Sequence, residues 1–297
     1  MADEQKDVMA PADAAGELTR RDFVAFSLVA GITAAGGAQA LAQAQVVETA
    51  VTVKTPDGTC DAYLMHPATG SHPGVLIWPD ALGLRPAMRD FGKRLAADGY
   101  AVLVPNPFYR TAKAPVFDAS FSFSNQEDMA KLKQMTGPLN QSGAAEKDAV
   151  AYIAFLDAQS QVNKAKKIGT QGYCMGGPLV VRTAAAIPDR IGAGASFHGG
   201  GLVTDQPGSP HLLAPKIKAR MYFGVASNDD ARQPDAKDKL RDAFAAAKVP
   251  AEIEVYPALH GWCVPDMPLQ NGKPIYSKPD AEKAWAKLLA LYKAALA

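Results

Sequence analysis

A chain of 297 residues, 48% hydrophobic and 21% charged, has the composition of an ordinary soluble globular protein and is long enough to bury a large core. A formal net charge of +1 with no long single-sign run excludes the basic field that would draw nucleic acid, which leaves small molecules as the natural partners. The N-terminal region reads differently from the rest. Thr19-Arg20-Arg21-Asp22-Phe23 precedes a weakly apolar, Gly/Ala-rich stretch that ends in small residues at Ala40-Leu41-Ala42 and Ala42-Gln43-Ala44. Paired arginines, a short apolar region and an A-x-A site together resemble a twin-arginine export signal, and the stretch is too weakly hydrophobic for a membrane span. Residues 1–44 are therefore expected to be the signal, recognised by the twin-arginine translocation machinery. The mature chain, residues 45–297, would begin near Gln43 or Gln45 and be periplasmic or secreted. The other reading is an N-terminal tail and a helix packed on the domain. Three cysteines, Cys60, Cys174 and Cys263, leave at least one thiol unpaired, and Cys60 with Cys263 is the expected pair if a bridge forms.

After the signal, "VETAVTVKT" and "CDAYLMHP" flank Pro56-Asp57-Gly58, whose turn chemistry predicts a β-hairpin at a sheet edge. "GVLIWP" (74–79) and "AVLVP" (101–105) are continuous apolar runs of the kind found in strands covered on both faces. Between them Met88, Phe91, Leu95 and Ala96 recur at helical spacing. Residues 106–140 lack clear periodicity, which predicts an excursion that wraps over a site or hides a short helix or two. Further on, helices are expected over 142–159, from near Gly177, over 234–249 and at the C-terminus. They alternate with strands in "KKIGTQGY", "IGAGASFHG", "ARMYFGVAS" and "AEIEVYP". Repeated alternation of this kind means a mostly parallel sheet with helices on both faces, in which chemistry sits at the carboxyl ends of the strands.

That rule singles out Cys174. It follows a strand and precedes a helix inside Gly172-Tyr173-Cys174-Met175-Gly176, the G-x-nucleophile-x-G turn with cysteine in place of serine. Small residues two before and two after let strand and helix close up, so the side chain is thrust out of the sheet. The N-terminal end of the following helix points at the sulfur and favours the thiolate, and the Met175 N–H is placed to donate to an oxyanion. A nucleophile here needs an acid and then a base later in the chain. Asp229-Asp230 follows "ARMYFGVA", and His260 follows "AEIEVYP". Asp229 is the expected partner of the imidazole, with Asp230 the open alternative. His198, which also follows a strand, is a candidate to line the cleft. His260 and Cys263 also form an H-x-x-C pair, but four metal ligands are not visible, so neither a metal nor another cofactor is expected.

At "GYCMGG" and "LHGW", and more broadly from "HPGVLIWPDALGLRPAMRDFGKRLAADGYAVLVPNPFYR" to the final helix, the chain resembles the dienelactone hydrolase (carboxymethylenebutenolidase) family, thiol hydrolases of the α/β-hydrolase fold. The resemblance implies cleavage of an enol lactone or similar ester through an acyl-thioester. Cys174 would be the nucleophile, Asp229 the acid and His260 the base, with an oxyanion hole from the N–H groups of Met175 and Ala81. It also implies that Arg110 meets the substrate carboxylate. Two positions depart from the family pattern. Asp80 stands where a glutamate would meet the thiol, and Val264 stands where a second substrate-binding arginine is expected. Both departures point away from dienelactone itself and toward a less charged, larger or more apolar ester, for which the Gly-rich loop of 196–213 could make room. The reading from a different class is an exported, noncatalytic or redox-responsive binding protein on the same fold. A monomer or small homo-oligomer is expected.

Overall fold

The computed structural model describes residues 45–296; the expected export signal lies outside them. The hairpin forms first. β1 (Val46–Thr55) and β2 (Gly58–Pro67) pair antiparallel across the Pro56-Asp57 turn, with Thr55 opposite Gly58. Gly58 has φ +146°, a conformation open to glycine and costly for other residues.

The two apolar runs become β3 (Gly74–Trp78) and β4 (Ala101–Pro105), every residue of both being buried. They are joined by α1 (Pro86–Ala97), whose Pro at the first position suits a helix start. The irregular stretch holds one helix, α2 (Gln126–Thr136), capped where the Asn125 side chain accepts from the N–H groups of Glu127 and Asp128. α3 (Ala144–Ala158) leads into β5 (Ile168–Tyr173), α4 (Gly176–Ala186) and β6 (Ile191–Phe197). A 3-10 turn (Pro210–Lys216) precedes β7 (Arg220–Ala226) and the short α5 (Ser227–Arg232). α6 (Ala236–Ala246), β8 (Ala251–Tyr256) and α7 (Lys278–Ala295) complete the order.

The eight strands form one sheet in the order β1-β2-β4-β3-β5-β6-β7-β8, antiparallel at β1, β2 and β4 and parallel from there on. The strand pleat divides the core. Leu76 and Trp78 of β3 face a cluster built with α3, α4 and α6, while Val75 and Ile77 face one built with α1 and α7. The α/β class expected from the alternation is the one observed, with helices on both faces. A third, smaller cluster of Leu82, Phe108, Phe117, Phe121, Leu132 and Met135 underlies the 106–140 excursion.

The core division also settles the cysteines. Cys60 is buried in the first cluster, near Tyr152, and Cys263 in the second, near Trp285, so the sheet separates them. The Cys60–Cys263 bridge that the sequence left open is not present; all three thiols are free.

Candidate active site

β5 ends at Tyr173, and Cys174 follows with φ +51°, a left-handed conformation that a non-glycine residue adopts only under constraint. The constraint is visible on both sides. A Cβ on Gly172 would overlap the carbonyl of Gly176, and one on Gly176 would overlap the carbonyl of Trp78. Strand, turn and helix therefore close on one another only with glycine at both places. The Cys174 N–H donates to Phe197 O at 3.0 Å and to His198 Nδ1 at 3.1 Å, which ties the turn to the end of β6.

The next two strand ends bring up the partners. Asp229, in the first turn of α5, accepts from His260 Nδ1 through Oδ2 at 2.5 Å. Asn228, beside it, accepts the His260 backbone N–H at 2.8 Å and so fixes the turn that carries the ring. Asp230 points elsewhere and pairs with Lys237 at 2.7 Å, so within this pair it is Asp229 that meets the imidazole. Burial pulls the His260 imidazole down, but the hydrogen bonds and charges of Asp229 and Cys174 outweigh it and push it up to about 10. The His260 imidazole therefore holds its proton more tightly than a free histidine does.

Cys174 and His260 open on a pocket of 390 Å³ whose walls include Asn228, Arg232, Met267 and Leu269. Met175, next in sequence to Cys174, and Ala81 border a second, more open groove of 570 Å³. Among the described residues, neither the Met175 nor the Ala81 backbone N–H has an acceptor within the chain. Two unpaired amides at the rim of a nucleophile turn can donate to an oxyanion.

Three expected positions fall elsewhere. Asp80 is fully buried and bonded to Arg85 at 2.6 and 2.9 Å and to the Leu82 N–H at 2.9 Å. Arg85 in turn holds Asp266 at 2.7 Å. Asp80 is therefore an ion-pair partner that fixes the loop after β3, in place of a contact for thiol or substrate. Arg110 is claimed by Asp57 of the hairpin turn and by the buried Asp148 of α3, both at 2.7 Å, and its guanidinium stacks on Tyr109. It is absent from the walls of the Cys174 pocket, so the expected carboxylate contact is replaced by a tie between hairpin and helix. His198 lies inside the protein, fully buried, so it backs the cleft without lining it. Burial, and then the neighbouring His260, hold its imidazole well below the ordinary histidine range.

Sequence reasoning missed Asn228 and Arg232. Their signal was proximity to Asp229 at a strand end.

The model of the dienelactone hydrolase family matches residues 60–296 of this chain. A protein of Synechocystis sp., provisionally named a carboxymethylenebutenolidase, is 28% identical over 84% of this chain and 97% of its own length. The carboxymethylenebutenolidase of Rhodococcus opacus is 27% identical over 68% of this chain and 75% of its own. Among solved structures, a dienelactone hydrolase-like promiscuous phosphotriesterase from metagenomic libraries superposes with a TM-score of 0.69. It is 24% identical, and the match covers 84% of this chain and 99% of that one. Sheet order, turn geometry and a family match across nearly all of the described residues lead to one statement: the chain belongs to the dienelactone hydrolase family, with the α/β-hydrolase fold.

Proposed function

We propose that this protein hydrolyses lactones or carboxylic esters through a Cys174-His260-Asp229 triad and an acyl-thioester intermediate. The observation that carries the reading is the left-handed turn at Cys174 beside an imidazole that Asp229 orients at 2.5 Å. Cys174 is the nucleophile, and His260 is the group that takes up its thiol proton. The sulfur attacks the carbonyl carbon, a C–S bond forms, and the displaced π pair moves to the oxygen, where the Met175 and Ala81 amides donate. Collapse breaks the C–O bond, and the leaving alkoxide takes its proton from His260. Neutral His260 then takes a proton from water, whose oxygen attacks the thioester and expels Cys174 as thiolate. No step in this sequence calls for a cofactor. Asp229 keeps the imidazole in the tautomer that presents Nε2 to the reaction.

A kinetic comparison of wild type with Cys174→Ala on p-nitrophenyl esters and enol lactones tests the reading. Loss of turnover in the variant supports it, and full activity rejects the mechanism. The same preparation reports on export. Processing after Ala42 or Ala44, read from the N-terminal mass of the periplasmic or secreted form, is the outcome expected if residues 1–44 are a twin-arginine signal.

A further inference from the structure

We infer that the groove along α2 is the acyl subsite, and that the preferred substrates are esters of apolar, uncharged acids. The inference rests on the hydrolytic reading of Cys174 and assigns directions around its tetrahedral intermediate. The reacting carbon carries four groups: Sγ, the oxyanion, the leaving oxygen and the acyl chain. The oxyanion points at the Met175 and Ala81 amides, and the leaving oxygen must lie within reach of His260, which protonates it. The alcohol portion therefore extends into the pocket beside His260, Asn228 and Arg232. The acyl chain takes the remaining direction, and the groove bounded by the Met175 and Ala81 side chains, beside their amides, is the apolar surface that receives it.

The walls of that groove fit an apolar chain. Met129, Ala130, Leu132 and Thr136 come from one side of α2 and meet Met175 and Ala81 across it. Met129 is 41% exposed, an uncovered large apolar side chain on a helix whose Leu132 and Met135 are already buried below. Arg85 is committed to Asp80 and Asp266, and Arg110 to Asp57 and Asp148, while Arg232 stands in the pocket beside His260 and outside the groove. Lys133 is the cation on the groove wall, and it makes a charged acyl group the competing outcome of the test.

The experiment measures kcat/KM for p-nitrophenyl acetate, butanoate, hexanoate and octanoate, and for the half-ester of succinate, with wild type, Met129→Glu and Glu127→Trp. Each methylene that enters the groove is expected to raise kcat/KM about two- to fourfold, so octanoate, about six methylenes longer, should exceed acetate at least about sixtyfold. Met129→Glu should lower the octanoate-to-acetate ratio several-fold. Glu127→Trp adds bulk on α2 outside the groove and should keep the ratio. A flat acyl series, a succinate half-ester turned over faster than butanoate, or an unchanged ratio in Met129→Glu would overturn the subsite and leave the hydrolase reading intact. Absence of turnover on every ester would overturn both.

Discussion

The floor and the wall of the site are built by different means. At the floor, Cys174, Asp229 and His260 each sit just past the end of a parallel strand, and the backbone around Cys174 closes so tightly that Gly172 and Gly176 admit no Cβ. The wall, residues 106–140, has no strand. It consists of α2, capped locally by Asn125, over the small cluster of Phe117, Phe121, Leu132 and Met135. The geometry around Cys174 is thus fixed by main chain, and the wall is shaped by side chains on a locally capped helix. Substitutions at the floor should abolish or cripple turnover, and substitutions in the wall should redistribute it among substrates.

The largest effect is expected at the floor. Asp229→Asn keeps the shape but leaves the imidazole free to take the wrong tautomer, and kcat should fall by about 10³- to 10⁴-fold. A loss below tenfold would mean that the geometry at the strand ends does not control the chemistry. Gly176→Ala should disrupt the same floor without touching a reacting group. Its new methyl meets the Trp78 carbonyl, so thermal unfolding should report a loss of about 3 kcal/mol or more, or failure to fold.

Between floor and wall lies Arg110. Arg110→Ala strands the buried Asp148 carboxylate, and denaturant titration should show destabilisation of about 3 kcal/mol. KM for neutral esters should stay unchanged. A KM that rises for carboxylate-bearing substrates alone would return Arg110 to the site.

The pH dependence should be local. His260 is raised in the folded protein to about 10 from an unfolded value of about 6.5. Its contribution to stability is therefore complete below pH about 6.5 and is lost as pH rises through about 10, a trend that His260→Ala should remove. Alkylation gives the sharper view. Burial pushes the Cys60 thiol up to about 12 and raises Cys263 well above its ordinary range, so iodoacetamide at pH 7 should label Cys174 first. Labelling of all three thiols at similar rates would contradict the burial that sets Cys60 and Cys263 apart from Cys174.

The contrast between floor and wall also explains what the sequence made legible. The strands could be read because they are short apolar runs bounded by turn residues, and the turn at Cys174 because its two glycines are local to it. The placement of Cys174, Asp229 and His260 followed from strand ends, which are local too. What failed depended on side-chain partners that no periodicity reveals, most of them far along the chain. Arg110 meets Asp57 and Asp148, and Asp80 meets Arg85, which also holds Asp266. Nothing within ten residues of Arg110 marks it as already paired. The choice between Asp229 and Asp230 depended on how the short α5 starts, since one residue of helical rotation turns one carboxylate to His260 and the other to Lys237. Cys60 and Cys263 looked like partners only while the sheet between them was unseen.

The central claim is that the floor acts covalently through Cys174. The direct test is intact-protein and peptide mass measurement after acid quench of enzyme turning over a p-nitrophenyl ester. The account expects a mass increase equal to the acyl group, on the peptide that contains Cys174, absent in Cys174→Ala. Steady turnover by Cys174→Ala, or an acyl group found on any other residue, would contradict it.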